Sequence, residues 1–139
     1  MKTFILSLLL IGNLMAITAK DAAWSLDAQT DLHKALKQAK HEKKNMILLL
    51  VVKDGCEWCE KMVHETMQNR DVKDALSDAI IVIIDRKNDL AKKYRTTLTP
   101  SIFFIDAKTG KSVYTQVGYE KAGSFLISII NAKDNIEQE

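Results

Sequence analysis

Two uninterrupted apolar segments, residues 46–52 and 79–84, constrain the fold of this chain most strongly. A strand that lacks alternation between apolar and polar side chains is buried on both faces of its sheet. The sequence between the two segments favours helices, so the strands are expected to lie parallel and to be joined by a right-handed crossover. This arrangement predicts an α/β domain.

The other segments add a hairpin and several helices to this pair of strands. A third strand over 101–105 is followed by a turn and by an alternating strand over 112–117, which predicts a hairpin at one edge of the sheet. The helices are predicted over 27–42, from the cysteine pair to Gln68, over 72–78 with Asp71 as cap, as far as Tyr94 with Asn88 as cap, and around Phe125, Leu126, Ile129 and Ile130. The predicted fold is a central mixed sheet of about four strands flanked by helices, with an extra helix at the N-terminus.

The only two cysteines of the chain lie in the motif Cys56-Glu57-Trp58-Cys59, directly after the first apolar strand and at the start of a helix. A helix N-terminus stabilises an anion, and therefore favours the thiolate of the first cysteine. The second thiol lies one helical turn away, where it can close a disulfide by exchange. The motif therefore predicts a redox-active dithiol.

Three other interpretations of the cysteine pair were open from the sequence. A structural disulfide over so short a loop constrains the unfolded chain little. A zinc site needs about four ligands at suitable spacing, and the chain offers two thiols and three histidines, His33, His41 and His64, without a second CxxC motif. The third interpretation is a cysteine pair that has lost its redox activity and is kept only for packing. The redox interpretation is preferred, and no metal and no organic cofactor is predicted.

Residues 1–19 have the pattern of a secretory signal peptide. Lys2 gives a positive start, residues 4–11 are apolar, and small residues follow around Ala16 and Ala19, with cleavage expected after Ala19. The apolar stretch is short for a bilayer span of about 20 residues, although an uncleaved N-terminal anchor is the alternative. Residues 20–139 then form one domain.

The charge of the chain indicates neither nucleic acid nor a membrane surface as a partner. The formal net charge is +2, and removal of the segment that contains Lys2 lowers it by one. A net charge this close to zero does not indicate a basic surface that would bind a polyanion. The lysines of the 27–42 segment are interpreted as the solvated face of a helix.

The order of elements and three motifs resemble the thioredoxin fold. The resemblance covers about residues 24–132 and is carried by the Cys56–Cys59 motif at a strand–helix junction, Thr99-Pro100 before a strand, and Val117-Gly118 before the last helix. Within this family the chain is similar to exported domains in which a tryptophan, here Trp24, precedes a lysine-rich helix and a methionine, here Met62, follows the CxWC motif. The thioredoxin-like domain of the transmembrane disulfide reductase has this pattern.

The resemblance implies roles for five residues. Cys56 would be the attacking nucleophile and Cys59 the buried resolving thiol. Pro100 would be cis, with the backbone of Thr99 pairing with an extended substrate, and Trp58 would belong to the rim that contacts substrates. The alternatives are that Pro100 is an ordinary start of a strand and that Trp58 covers the core.

The chain departs from the family at the buried acid that assists the resolving thiol. Leu50 occupies the position of that acid, and Ile81 occupies the position of its lysine partner. The general base is therefore missing, and Glu57, Glu60 or water would have to replace it.

The predicted function is that of an exported, periplasmic thiol–disulfide oxidoreductase, a reductase of protein disulfides. Its partners would be protein substrates with disulfides or thiols and a membrane electron donor. The alternatives are a non-enzymatic module that binds extended peptides beside Pro100 and a structural subunit of an envelope complex.

Overall fold

The computed structural model describes residues 16–138, and residues 1–15, which hold most of the predicted signal segment, lie outside the described residues. The helices are α1 (Ala19–Ser25), α2 (Leu32–Glu42), α3 (Glu57–Lys61), α4 (Arg70–Ala75), α5 (Asp89–Lys93) and α6 (Ala122–Glu137). The strands are β1 (Met46–Val52), β2 (Ala79–Asp85), β3 (Ser101–Asp106) and β4 (Ser112–Val117). Within residues 16–138, no helix combines the length and the apolar character that a bilayer crossing requires.

The strands form one mixed sheet in the order β2-β1-β3-β4. β1 and β2 run parallel, with Leu50 beside Ile83, and β3 runs antiparallel to β1, with Ile102 on the other side of Leu50. β3 and β4 form the hairpin at the edge. The parallel pair, the hairpin and the mixed four-stranded sheet that the sequence predicts are confirmed.

The side chains of β1 alternate between two core layers, and all seven of its residues are buried. Leu50 belongs to a layer that also contains Cys59 and Phe125, beneath α6. Leu49 points to the opposite layer, with Ala35 of α2. The sheet therefore lies between two layers of helices, and the cysteine pair lies on the same side of the sheet as α6.

The chain before β1 differs from the predicted helix over 27–42. α2 begins only at Leu32, with Asp31 as its N-cap. Residue Gln29 instead forms a parallel bridge to Val82 and lies along the outer edge of β2. The apolar periodicity could not show where α2 begins. The start of the helix depends on the pairing of Gln29 with β2, a strand far along the chain. The short helix α1 was not predicted.

The helix that follows the cysteine pair is α-helical only as far as Lys61. The next turn, Met62–Thr66, is π-helical, and the N–H of Met67 donates to the carbonyl of Met62 at 2.9 Å. The prediction of one regular helix to Gln68 was wrong in this turn, because a π turn takes in an additional residue that apolar spacing does not reveal.

α4 begins two residues earlier than the predicted helix over 72–78 and ends at Ala75. Asn69, and not Asp71, is the N-cap, and its side-chain oxygen accepts from the N–H groups of Asp71 and Val72 at 3.0 and 3.2 Å. Both residue types cap helices well, so the sequence offered two starts. For α5, Asn88 is the N-cap as predicted.

The two faces of α6 give a test of the core. Phe125 is fully buried, whereas Ile130, five residues later on the same helix, is 56% exposed. Phe125→Ala is expected to lower the free energy of unfolding by about 3–5 kcal/mol, because it leaves a cavity. Ile130→Ala, the matched control, should change it by less than about 0.5 kcal/mol. Urea denaturation of the oxidised proteins measures both, and equal losses would contradict the assignment of the buried face.

Candidate active site

The two cysteines form a disulfide at the start of α3. The chain leaves β1 and turns through Gly55, whose φ of 69° is a conformation that glycine adopts without strain. Cys56 is the N-cap of α3, and its Sγ accepts from the N–H of Cys59 at 3.2 Å. Cys59 is fully buried, whereas Cys56 is partly exposed. A partner molecule can therefore reach the sulfur of Cys56 but not that of Cys59.

Thr99 approaches Cys56 from the loop before β3. Its hydroxyl donates to the Cys56 Sγ at 3.4 Å, and its backbone carbonyl lies 3.6 Å from the same sulfur. The peptide bond between Thr99 and Pro100 is cis, and Pro100 is buried. The carbonyl of Pro100 accepts from the N–H of Gly118 at 2.8 Å, which ties this loop to the end of β4.

An open groove of about 390 Å³ runs beside the disulfide. It is lined by Trp58, Leu98, Thr99, Gly118 and Tyr119. Leu98 and Trp58 are 62% and 52% exposed, and they lie together on the wall of this groove. The groove therefore offers adjoining apolar side chains beside the disulfide.

The ring of Trp58 is held in place on the rim of this groove. It packs against Tyr119 with 5.4 Å between the ring centroids, and the Nζ of Lys61 lies 4.6 Å from the centre of the Trp58 ring, a cation–π contact. The Tyr119 hydroxyl donates to Glu65 at 2.9 Å. This hydrogen bond raises the pKa of Tyr119, so the phenol stays protonated and keeps donating.

Both carboxylates near the cysteines have partners. Glu57 forms an ion pair with Lys61 at 3.3 Å, and the Glu57 side chain is 75% exposed. Glu60 accepts from the backbone N–H of Ile17 at 3.1 Å. Leu50, at the position of the acid that related proteins carry, is fully buried and belongs to the same core layer as Cys59.

The structure brings four of the five predicted site residues to one place. The Cys56 sulfur contacts both Cys59 and Thr99, and Trp58 lines the groove next to them. Pro100 lies behind Thr99 and does not line the groove. Leu98 and Tyr119 were missed, although each directly adjoins a motif that the sequence does reveal, Thr99-Pro100 and Gly118.

A larger surface depression of about 710 Å³ lies at the other end of the sheet. It is lined by α2 and the segment after it, which contribute Lys37, Lys40, Lys43 and Lys44, and by the turn between β3 and β4, and it contains neither cysteine. Within residues 16–138, no group of three or more His, Cys, Asp or Glu side chains is placed to hold a metal ion. The disulfide and the groove beside it are therefore the candidate active site.

The chain belongs to the thioredoxin-like domain family, whose sequence profile matches residues 32–133. With a cysteine pair joined as a disulfide at the start of a helix, it is a thiol–disulfide oxidoreductase. A search of curated protein sequences gave no significant match.

Solved structures show the same fold. A thioredoxin from Thermus thermophilus superimposes with a TM-score of 0.66 at 20% identity, covering 76% of this chain and 86% of that one. DsbH oxidoreductase gives 0.60 at 21% identity, with 81% and 86% covered. The oxidised C-terminal domain of DsbD from Neisseria meningitidis gives 0.58 at 23% identity, with 72% and 94% covered.

Proposed function

We propose that this protein is an exported reductase of protein disulfides, with Cys56 as nucleophile, Cys59 as resolving thiol, and Trp58, Thr99 and Pro100 as the substrate-binding residues. The observation that carries the proposal is the environment of the Cys56 sulfur. It accepts hydrogen bonds from a helix N-terminal N–H and from the Thr99 hydroxyl, and it borders an open groove. Such donors stabilise the thiolate, which is the reactive form in exchange.

The reaction proceeds through a mixed disulfide. The Cys56 thiolate attacks one sulfur of a substrate disulfide, forms a new S–S bond and expels the other substrate sulfur as a thiolate. The Cys59 thiolate then attacks the Cys56 sulfur, releases the second substrate thiol and closes the Cys56–Cys59 disulfide. Two electrons have passed to the substrate, and a dithiol donor must reduce the disulfide again before the next cycle.

Water is the proposed acceptor of the Cys59 proton in the resolving step. The buried acid of the family is replaced by Leu50, which cannot take a proton. Glu57 forms an ion pair with Lys61, and Glu60 accepts a hydrogen bond from the Ile17 N–H. In the mixed disulfide the Cys56–Cys59 bond is broken, which would admit water to the sulfur of Cys59 before this thiol attacks; the same sulfur is buried in the disulfide form.

The proposed compartment is the periplasm, and the proposed electron donor is a membrane protein. Residues 1–19 support export, because a positively charged start is followed by an apolar stretch and then by small residues. A reductase in an oxidising compartment needs a supply of electrons from across the membrane. The DsbD C-terminal domain, which has been solved in an oxidised and a reduced form, and DsbH oxidoreductase are structurally similar domains that support redox cycling by this fold.

Two measurements test this function: the rate at which the protein reduces a protein disulfide, and a titration of Cys56–Cys59 between its dithiol and disulfide forms. A reductase should cycle between dithiol and disulfide and should reduce the substrate catalytically when a dithiol donor is present. A peptide-binding module would bind an extended peptide equally well when both cysteines are replaced by serine, and would show no turnover. Stable co-purification with an envelope complex in either redox state would instead indicate a structural subunit.

Removal of the Thr99 hydroxyl should weaken the nucleophile. Thr99→Val keeps the shape of the side chain but deletes the donor to the Cys56 sulfur, and hydrogen bonds to charged groups contribute about 1.5–3 kcal/mol. Alkylation of reduced Cys56 by iodoacetamide at pH 7 is expected to slow by about tenfold or more, because about 1.4 kcal/mol corresponds to a factor of ten. Thr97→Val, at an exposed threonine two residues earlier, is the control. An unchanged alkylation rate in Thr99→Val would show that the Thr99 hydroxyl does not stabilise the Cys56 thiolate.

A further inference from the structure

Ile17, near the start of the described chain, is built into the domain. Its side chain is only 6% exposed and belongs to the core layer that contains Cys59. Its backbone N–H donates to the Oε1 of Glu60 at 3.1 Å, and Glu60 directly follows Cys59. Ala16, the residue before it, is exposed. The chain therefore passes from solvent into the fold between Ala16 and Ile17.

Thr18 is also used by the fold, as the N-cap of α1. The Thr18 hydroxyl accepts from the Asp21 N–H at 3.1 Å, and the Asp21 carboxylate accepts from the Thr18 N–H at 3.3 Å, so the two residues form a capping box. The Thr18 hydroxyl also donates to the Asp21 carboxylate at 2.6 Å, and this hydrogen bond is the main cause that lowers the pKa of Asp21. α1 carries Ala22 and Ala23 into the core. Loss of residues 17–19 would remove a core side chain and this cap.

The sequence offers two equivalent cleavage positions for the signal segment. Ala16 and Ala19 each supply the small residue that the processing peptidase requires, and each has an aliphatic residue two positions before it, Leu14 or Ile17. Cleavage after Ala19, the position expected from the sequence, would discard Ile17 and Thr18. Cleavage after Ala16 would retain both.

We propose that processing occurs between Ala16 and Ile17, and that the new α-ammonium group of Ile17 forms an ion pair with Glu60 beside the cysteine pair. A signal peptidase hydrolyses the Ala16–Ile17 peptide bond with one water molecule, which leaves a carboxylate on Ala16 and an amine on Ile17. That amine takes up a proton at neutral pH. The nitrogen already lies within hydrogen-bond distance of Glu60, and the buried Ile17 side chain holds it there.

The ion pair would change the charge next to the dithiol. In the precursor, Glu60 meets a neutral amide, whereas in the processed protein it meets a cation. The negative charge of Glu60 is then offset by the ammonium group, so its repulsion of the Cys56 thiolate falls. This inference rests on the export that is part of the proposed function.

The cleavage position is tested with the full chain, expressed in a bacterial host and recovered from the periplasm. The intact mass is expected to match residues 17–139. Ala16→Phe should abolish this species, because the peptidase requires a small residue at that position, whereas Ala19→Phe, the matched control, should still yield it. A product that begins at Lys20, or a protein that stays unprocessed, would overturn the proposal. Disulfide reduction by the recovered protein, whatever its first residue, tests the proposed function separately.

The ion pair is tested by the reactivity of the Ile17 amine in the processed protein. A neighbouring carboxylate keeps an amine protonated, and a protonated amine does not react with acetic anhydride. Glu60→Gln is expected to speed acetylation at pH 7 by about tenfold. Glu57→Gln, which removes an equal charge three residues away, should leave the rate unchanged. Equal rates in the wild type and in Glu60→Gln would show that the pair does not form.

Discussion

Replacing Cys59 with serine is expected to arrest the protein as a mixed disulfide with its substrates through Cys56. Cys56 is the partly exposed N-cap sulfur and receives two hydrogen bonds, whereas Cys59 is fully buried. Without Cys59, no thiol is placed to attack the Cys56–substrate bond. Turnover should therefore fall to background, and covalent adducts sensitive to dithiothreitol should accumulate on non-reducing gels.

Cys56→Ser is the matched control for this experiment. It should also lose turnover, but it should form few adducts, since the remaining sulfur is shielded from the groove. Adducts formed equally by the two variants would contradict the assignment of Cys56 as nucleophile. Their absence from both would favour the peptide-binding module.

The reduction potential is expected to lie nearer about −270 mV than −120 mV, as suits a reductase. A strong oxidant has an unusually stable thiolate, and here no His or Lys lies between the cysteines, while Glu57 directly follows Cys56. That carboxylate opposes the thiolate and offsets part of the stabilisation by the helix and by Thr99. Equilibration with glutathione and dithiothreitol buffers gives the value, and a potential above about −150 mV would make the protein an oxidase.

Glu57→His is the sharper test of this explanation. The substitution removes the carboxylate and frees Lys61 from its ion pair, and both changes favour the thiolate. The potential should rise by some tens of millivolts, since a tenfold change in the exchange equilibrium corresponds to about 30 mV. Glu137→His, at an exposed acid near the end of α6, removes the same charge far from the cysteines and should leave the potential unchanged. An unshifted potential in Glu57→His would mean that another group sets it.

The sheet was predictable from the sequence because its first three strands are largely apolar, and the fourth mixes polar and apolar residues directly after a turn. β1 was predicted with its exact bounds, and so was β4. The helix boundaries were less predictable. The start of α2 depends on a bridge between Gln29 and Val82, a contact between residues far apart in the chain. The π turn over Met62–Thr66 has no signature in the apolar pattern.

The centre of the site was predictable for a different reason. The CxxC pair follows from thiol chemistry at a helix N-terminus, and the position of Thr99-Pro100 beside it is what the resemblance to the thioredoxin fold implies. The groove wall has no such motif, because many apolar side chains can line a surface. Leu98 and Tyr119 therefore became visible only once the fold placed them beside Trp58.

The burial of Cys59 in the core links the redox state of this protein to its folding. Oxidation and unfolding form a closed thermodynamic cycle, so any preference of the folded chain for the disulfide is also a difference in stability between the two redox forms. Each 30 mV by which the folded disulfide resists reduction more than the unfolded one corresponds to about 1.4 kcal/mol of added stability in the oxidised form. For a reductase with such a preference, the state that carries the electrons is the less stable one, and each delivery of electrons returns the domain to its more stable form.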